Sequence, residues 1–246
     1  MIHDLHSHTY YSFCGKDNPK DVIEAAIDGG IKMLGICDHS YGVAIQRDYS
    51  PHRERESWII DYQRAINAYL DTLLLLKEKY KEQIDIKCGI EIPTQNIPYI
   101  LLPDEIDVSR FEYCLIEHID YEDTTVSDLF AFADRCGCQK VGIAHTDIFS
   151  YLEKKNINKD EFFAEMAQRG MFWELNVNYD SIHKFREHAY VERFFADKEQ
   201  QETVLKSGAE MSIGFDGHRV NEYLPERVKS YCKRLEELKI PTVYAK

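Results

Sequence analysis

Histidines and carboxylates recur along this chain directly after short apolar runs of the kind that form β-strands. His6 and His8 come first, and residues two apart on a strand point to the same face. Two neutral imidazoles on one face supply half of the ligands that a metal ion needs. Residues of the same types follow five further apolar runs, at Asp38-His39, Glu91, His118, His145, and Asp216 with His218. Together these strand ends predict a polynuclear metal centre at the mouth of a barrel.

The residue types fit metal chemistry better in combination than singly. Imidazoles supply nitrogen ligands, and the carboxylates of Glu91 and Asp216 can bridge two ions. A lone histidine is more often a hydrogen-bonded core or surface residue, which is our prediction for His3, since its odd offset from His6 places it on the other face. The remaining histidines, His52, His183 and His188, fall in predicted loops or helix starts, and only His183 follows a strand closely enough to be a candidate.

The elements that must position these residues alternate between strand and helix. Strands are predicted at 1–8, 33–37, 84–92, 111–118, 140–144, 171–176 and 211–215, and helices at about 19–28, 54–81, 126–136, 160–169, 192–207 and 222–238. Asn18 and Pro19 are a typical helix start, and Gly29-Gly30 a typical stop. The order predicts one α/β domain over residues 1–246, a distorted (β/α)₇ TIM-like barrel with its site at the carboxyl ends of the strands.

The composition of the chain argues against several classes of function. A formal charge of −13 argues against a surface that binds duplex nucleic acid, which needs a basic footprint. No apolar run reaches the ~20 residues that cross a bilayer, and the chain has no predicted signal peptide. Seven cysteines then fit free thiols in a reducing cytoplasm, and Cys136-Gly137-Cys138 is interpreted as structural. The sequence makes no prediction of oligomeric state.

The ordered motifs resemble the PHP (polymerase and histidinol phosphatase) superfamily over nearly the whole chain. They are Asp4-Leu5-His6-Ser7-His8-Thr9, Asp38-His39-Ser40, Gly89-Ile90-Glu91, His118, Ala144-His145 and Gly214-Phe215-Asp216-Gly217-His218. The resemblance implies a (β/α)₇ barrel that holds two or three divalent ions, commonly Zn, Mn or Fe. It also implies hydrolysis of phosphate esters by a metal-activated hydroxide.

Carried over residue by residue, the resemblance implies three metal positions. His6, His8, Glu91 and Asp216 would surround the first, and Glu91 with His118 and His145 the second. His39 and His218 would hold a third, for which many relatives supply another histidine soon after the first motif. The corresponding stretch here has no histidine, and Cys14 or Asp17 is the predicted substitute.

The function implied by the resemblance is phosphatase activity on a small phosphomonoester, with histidinol phosphate as the first named substrate. Asp216 or His218 would relay a proton, and Arg219, Arg47, Arg53 or Lys16 would bind phosphate. Glu174-Leu175-Asn176 resembles a signature of histidinol-phosphatase-like relatives, or it forms a polar network under the site. Two alternatives stay open: a nuclease or phosphodiesterase, against which the acidic charge argues, and a non-catalytic metal-binding domain, against which the nearly complete ligand set argues.

Overall fold

Seven parallel strands form the centre of the molecule. The computed structural model describes residues 1–45, 54–95, 97, 100–122, 124 and 128–244. The strands are β1 His3–Asp4, β2 Met33–Ile36, β3 Asp85–Pro93, β4 Tyr113–Glu117, β5 Lys140–Ile143, β6 Phe172–Asn176 and β7 Glu210–Gly214. Each pairs with the next along the chain in parallel, in the order β1 to β7.

Backbone contacts between β1 and β7 close the sheet into a barrel. Leu5 N donates to Ile213 O at 2.9 Å, and Asp216 N donates to His6 O at 2.7 Å. The Asp4 carboxylate reinforces the closure by accepting hydrogen bonds from Phe215 N at 2.9 Å and His6 N at 3.2 Å. The predicted (β/α)₇ TIM-like barrel of the α/β class is therefore confirmed, although β1 is far shorter than the predicted strand over residues 1–8.

Nine helices follow or flank the strands in the described part of the chain. They are α1 Pro19–Asp28, α2 Ser40–Ile45, α3 Arg55–Tyr80, α4 Leu129–Cys136, α5 Ile148–Lys155, α6 Lys159–Gln168, α7 Ala189–Ala196, α8 Lys198–Ser207 and α9 Pro225–Glu237. Asn18 caps α1 as predicted, since its side chain accepts from Asp21 N. The predicted helix at 192–207 is two helices, because Asp197 leaves the helical conformation and caps α8 through Glu199 N and Gln200 N.

Large aromatic side chains fill the barrel interior. Tyr113 and Phe172 are buried there with Leu5 and Leu115, separate from the larger core between strands and helices. Gly89 makes room for them, because a Cβ atom at this position would overlap the Tyr113 ring. The interior is thus packed below the strand ends, as is typical of such barrels.

The C-terminal segment covers the amino end of β7. Met211 N donates to Pro241 O at 2.9 Å, and Val243 N donates to Met211 O at 3.0 Å. Val243 packs in the barrel interior, and the Tyr244 hydroxyl donates to Glu112 O at 3.1 Å. This segment lies at the end of the barrel opposite the carboxyl ends of the strands.

Two further properties of the chain follow from the described residues. None of their helices combines the length and the hydrophobicity needed to cross a lipid bilayer. All seven cysteines are free thiols.

His3 is buried, with its ring between Met1 O and Ile213 N, and burial lowers its pKa to about 4. This histidine therefore supports the β1–β7 contact and stays away from the strand ends.

Candidate metal centre

A cleft of about 450 Å³ opens at the carboxyl ends of the strands. Seven of the predicted ligands line it together: His8, His39, Glu91, His118, His145, Asp216 and His218. Cys14, Glu117, His183 and His188 also line the cleft. His6 lies directly beneath it and is fully buried. The structure therefore brings residues from seven chain segments to one place.

His6 and His8 face the same point from the chain after β1. Their Nε2 atoms lie 3.1 Å apart. Asp216 Oδ1 is 3.1 Å from His8 Nε2 and 3.5 Å from His6 Nε2. Glu91 Oε1 lies 3.4 Å from His6 Nε2. Four donor side chains thus surround a common point, as the ligands of one ion would.

Glu174, in β6, fixes the orientation of His6. Its Oε1 lies 2.6 Å from His6 Nδ1, which leaves Nε2 to face the cleft. Its Oε2 accepts a hydrogen bond from His145 N at 2.7 Å. Gly214 in β7 provides the space, because a Cβ atom there would overlap the Glu174 carboxylate. A carboxylate behind a metal-binding imidazole sets its tautomer and aim.

Two asparagines, one at the end of β6 and one just after it, complete a polar network under the cleft. Asn176 Nδ2 and Asn178 Nδ2 donate to Asp216 Oδ2 at 3.2 Å and 3.4 Å. Since Oδ2 is held in this way, Oδ1 of Asp216 is the atom that faces His6 and His8. The Glu174-Leu175-Asn176 segment therefore orients residues of the cleft from below.

Asp38 organises the loop that carries His8. Its carboxylate accepts hydrogen bonds from Thr9 N at 2.7 Å and from the Ser12 hydroxyl at 2.7 Å. Ser12 Oγ in turn lies 3.2 Å from His8 Nδ1 and accepts from His39 N at 2.9 Å. One buried carboxylate thus orders the chain around two of the candidate ligands.

Glu91 lies at the centre of the site. Its Oε1 is 3.2 Å from His145 Nε2, and its Oε2 is 2.9 Å from His39 Nδ1 and 3.4 Å from His8 Nε2. Although Oε2 is buried and close to these rings, it accepts no well-directed hydrogen bond from the described residues. A buried carboxylate oxygen without such a partner fits a position beside a cation. The donor set therefore fits bound divalent ions.

A second group of donors lies on the β4 and β5 side of the cleft. Glu91, Glu117 and His145 form a cluster with the spacing of metal ligands. Glu117 Oε1 is 3.0 Å from His39 Nδ1, and its Oε2 is 3.3 Å from His118 Nδ1. Despite this short distance, His118 Nδ1 makes no well-directed hydrogen bond with any of the described residues. The sequence analysis missed Glu117, which immediately precedes the predicted ligand His118.

The backbone is left-handed at three candidate ligands. The φ angles of His118, His145 and Asp216 are 65°, 24° and 55°. Non-glycine residues adopt this region at a cost, and such residues cluster at functional sites. Each of these residues lies within two positions of the end of its strand.

A third group surrounds His218. Asp180 is fully buried, and its carboxylate lies 3.1 Å from His218 Nδ1 and 2.8 Å from His183 Nδ1. Cys14 lies near the same ring, within a cluster that also includes His8. The sequence analysis singled out His183 and missed Asp180, which follows β6 as the other candidates follow their strands.

The two predicted phosphate-binding cations among the described residues lie outside the cleft. Lys16 is exposed and donates to Phe13 O at 3.0 Å, and Arg219 Nη1 donates to Ser181 Oγ at 2.7 Å. Neither residue lines the cleft. Arg47, Arg53 and His52 lie outside the described residues. Asp17 accepts a hydrogen bond from Val220 N at 2.7 Å and joins no donor cluster, so the structure does not support it as a ligand.

The buried charges hold one another in their ionised forms. Burial opposes ionisation, yet His6 and His39 keep the pKa of Glu91 well below its usual range. Against the same effect of burial, Glu174, Glu91 and Asp216 raise the pKa of His6 well above its usual range. Hydrogen bonding to Glu91 similarly raises the pKa of His145 to about 9. The protons on these imidazoles therefore balance the negative charge of the carboxylates. Bound metal ions can take the place of those protons.

The profile of the PHP domain matches residues 4–240. The chain belongs to the PHP domain family. No curated protein sequence matches it. Among solved structures, histidinol phosphate phosphatase (HISK) from Lactococcus lactis, complexed with Zn, L-histidinol and phosphate, is similar to this PHP protein with a TM-score of 0.55 and 14% identity. The match covers 98% of this chain and 95% of that protein. The structure of an amidohydrolase gives a TM-score of 0.44 at 14% identity, over 96% of this chain and 69% of that protein. The first likeness shows that the barrel fold is shared.

Proposed function

We propose that this chain is a metal-dependent phosphoesterase that hydrolyses a small phosphomonoester. The observation that carries the proposal is the position of Glu91, a fully buried carboxylate between imidazoles from three other strand ends. Membership of the PHP domain family supports it further. A closed structural site would need only four ligands, whereas this cleft gathers more donors and stays open.

The proposed ligand assignment is the one that the family motifs imply, with Glu117 added. His6, His8, Glu91 and Asp216 would hold the first ion, and Glu91 with His118 and His145 the second, with Glu117 beside them. His39 and His218 would contribute to a third. Bound divalent ions supply positive charge for phosphoryl oxygens and acidify water at the site. We propose two or three ions, with Zn, Mn and Fe as the metals to test.

The charge of the cleft explains why ions are needed. The described residues that line it include imidazoles, carboxylates and a thiol, and no Lys or Arg. A phosphate dianion entering this cleft alone would meet Glu91 and Asp216. The ions and protonated imidazoles must therefore provide its electrostatic partners.

His218 and Asp216 are the proposed proton-transfer residues. Asp180 accepts from His218 Nδ1, so that Nε2 faces the cleft, 3.4 Å from Asp216 Oδ1. Burial opposes the charged ring, but Asp216 and Asp180 raise the pKa of His218 to about 10. When no ion is bound at its Nε2, a protonated His218 can donate to the departing alkoxide of the substrate.

The fold neighbour suggests the first substrate to test. The Lactococcus lactis enzyme is a histidinol phosphate phosphatase with L-histidinol and phosphate bound. We propose a phosphomonoester of similar size and test L-histidinol phosphate first. Other amino-alcohol and sugar phosphates belong in the same panel.

The experiment compares phosphomonoester and phosphodiester hydrolysis. Protein loaded separately with Zn²⁺, Mn²⁺ or Fe²⁺ is assayed on p-nitrophenyl phosphate, bis-p-nitrophenyl phosphate and the phosphate panel. We expect metal-dependent turnover of the monoester in preference to the diester. Preferred turnover of the diester would support the phosphodiesterase alternative, and binding of ions without any turnover would support a non-catalytic domain.

A further inference from the structure

Cys14 stands apart from the other cysteines of the chain. It is half-buried, it lines the cleft, and with His8 and His218 it forms a cluster whose donor atoms lie within 4.8 Å of one another. Cys138 is also half-buried, but its thiol donates to Val108 O at 3.1 Å and does not line the cleft. Cys232 likewise donates to a backbone oxygen, that of His3, at 3.2 Å. Only Cys14 among the described cysteines lines the cleft.

The loop that carries Cys14 is fixed on both sides. Tyr10 N donates to Asp17 O at 2.8 Å, and Lys16 N donates to His218 O at 3.0 Å. Gly15 packs so closely on Thr9 that a Cβ atom would overlap its backbone. The second contact ties the loop directly to the segment that bears His218. The position of the thiol beside that ring is therefore set by the backbone.

Asp17, the alternative ligand in this loop, already accepts a hydrogen bond from the backbone. Asp17 Oδ2 accepts a hydrogen bond from Val220 N at 2.7 Å and thereby fixes the start of a short 3₁₀ helix, Val220–Glu222. Asp17 does not line the cleft. Of the two candidate ligands in this loop, Cys14 and Asp17, only Cys14 lies within reach of the imidazoles.

We propose that Cys14 is a thiolate ligand that, together with His218 and beside His8, gives the metal centre one sulfur-containing position. This inference rests on the proposed metal centre and deepens it. The other groups of donors offer only nitrogen and oxygen, as in His6, His8 and Asp216 or in Glu91, Glu117 and His145. On binding an ion, the thiol releases its proton to solvent and the sulfur donates an electron pair.

Because sulfur is a softer ligand than nitrogen or oxygen, the metal positions should differ in the ions that they prefer. Thiolates select softer ions such as Zn²⁺, whereas carboxylate-rich positions accept Mn²⁺ well. The centre should therefore take up a mixture, with Zn²⁺ at the Cys14 position even where Mn²⁺ fills the others.

Cobalt substitution tests the sulfur ligand directly. Thiolate-to-Co²⁺ charge transfer gives a near-ultraviolet band that nitrogen and oxygen ligands do not give. We expect this band when Co²⁺ is titrated into the wild-type chain, and its loss in both Cys14→Ala and Cys14→Ser. Cys138→Ser is the matched control, because it removes a half-buried thiol outside the cleft, and it should keep the band. Asp17→Asn should keep it as well.

Metal content separates failure of this inference from failure of the proposed centre. Co²⁺ bound per chain is measured by elemental analysis on the same samples. Ions bound without the band, or a band that persists in Cys14→Ala, would overturn the thiolate ligand and leave the nitrogen and oxygen positions standing. No bound ions at all would overturn the centre itself. X-ray absorption of the wild-type Zn²⁺ form, which requires no variant, should show a sulfur neighbour.

Selectivity gives a second measurement. With Zn²⁺ and Mn²⁺ supplied together, the wild-type chain should retain about one Zn²⁺ more per chain than Cys14→Ala. We expect the variant to bind Zn²⁺ at this position about 100-fold more weakly or worse, because loss of outer-shell partners alone costs 10–100-fold. Equal Zn²⁺ content in the two proteins would contradict the proposal.

Discussion

Glu91 is the residue on which the proposed centre depends most. Its two oxygens contact imidazoles that arrive from β1, β2 and β5, and it is fully buried at the base of the cleft. Removing its charge would leave those rings without their shared partner. Loss of one buried partner is costly because the remaining charges stay uncompensated.

The first prediction replaces this carboxylate with its neutral isostere. Glu91→Gln should weaken two metal positions at once and lower kcat/KM by about 10²-fold or more, the size of loss typical of electrostatic stabilisers. Steady-state kinetics and bound metal per chain are measured together. Glu153→Gln, an exposed carboxylate on α5, is the control. Wild-type activity in Glu91→Gln would contradict the two-metal site.

The second prediction concerns Asp180, which positions the proposed acid His218. Asp180→Asn should lower the pKa of His218, because it removes a negative charge 3.1 Å from Nδ1. A general acid loses activity as pH rises through its pKa, so the basic limb of the kcat/KM profile should move to lower pH. A merely structural role would reduce activity equally at all pH values, which is the contradicting result.

The third prediction concerns the stability of the fold in acid. Burial lowers the pKa of His3 from 6.5 to about 4, so the neutral ring stabilises the fold above pH 6.5. As the pH falls from 6.5 towards 4, the unfolded chain takes up the proton first and this stability is lost. Between pH 7.5 and pH 5 the loss is about 2 kcal/mol. His3→Gln should show a smaller pH dependence by that amount in urea unfolding; an unchanged dependence would contradict it.

At the residue scale, the sequence predicts the histidines and carboxylates that meet at the cleft better than it predicts the residues that support them. His6, His8, Glu91 and Asp216 could be found because each follows an apolar run, and several runs coincide. Glu117 and Asp180 could not be separated from the other carboxylates, because the chain has 43 acidic residues. Asp180 reveals its role only through its distances to two rings.

Strand ends and the loops after them do most of the positioning at the scale of elements. Gly214 in β7 shows how closely neighbouring strands cooperate, since its missing side chain is the space that the β6 residue Glu174 occupies. The loop after β1 is held by Asp38 from the end of β2. Each ligand thus depends on an element other than its own.

The fourth prediction tests the contact between β6 and β7. Gly214→Ala should displace Glu174 and, through it, His6, with loss of metal affinity and about 1–3 kcal/mol of stability from overpacking. Gly217→Ala is the matched control, because its Cβ atom would meet neighbours no closer than 3.4 Å. Thermal unfolding and metal titration compare the two variants. Equal behaviour would show that Glu174 does not need this space.

The elements themselves were partly predictable. The alternation of strands and helices, and the capped start of α1, follow from local pattern. The sequence analysis missed α5, because its hydrophobic stretch is short, although Asp147 caps it through Ser150 N. The predicted helix at 192–207 covers parts of both α7 and α8, because no glycine or proline lies between them and only the cap at Asp197 reveals the break.

The whole barrel gathers opposite charges at one end of an acidic molecule. The fifth prediction is that metal stabilises the entire fold, because ions bind the native arrangement of ligands and not the unfolded chain. At a free concentration 100 times Kd, one ion adds about 2.7 kcal/mol. Added Zn²⁺ should therefore raise Tm, and chelator or acid should reverse the rise. The same addition to Glu91→Gln should raise Tm less, and an equal rise in both would contradict specific binding.

Glu174 gives the molecule one more property. One of its oxygens aligns His6, which belongs to the first proposed ion, and the other holds the backbone of His145, which belongs to the second. An ion that draws either residue into place also sets the other, so filling one position prepares its neighbour. Uptake should therefore be cooperative, and when metal is scarce a population of this protein would divide into empty and fully loaded molecules, with few half-loaded ones between them.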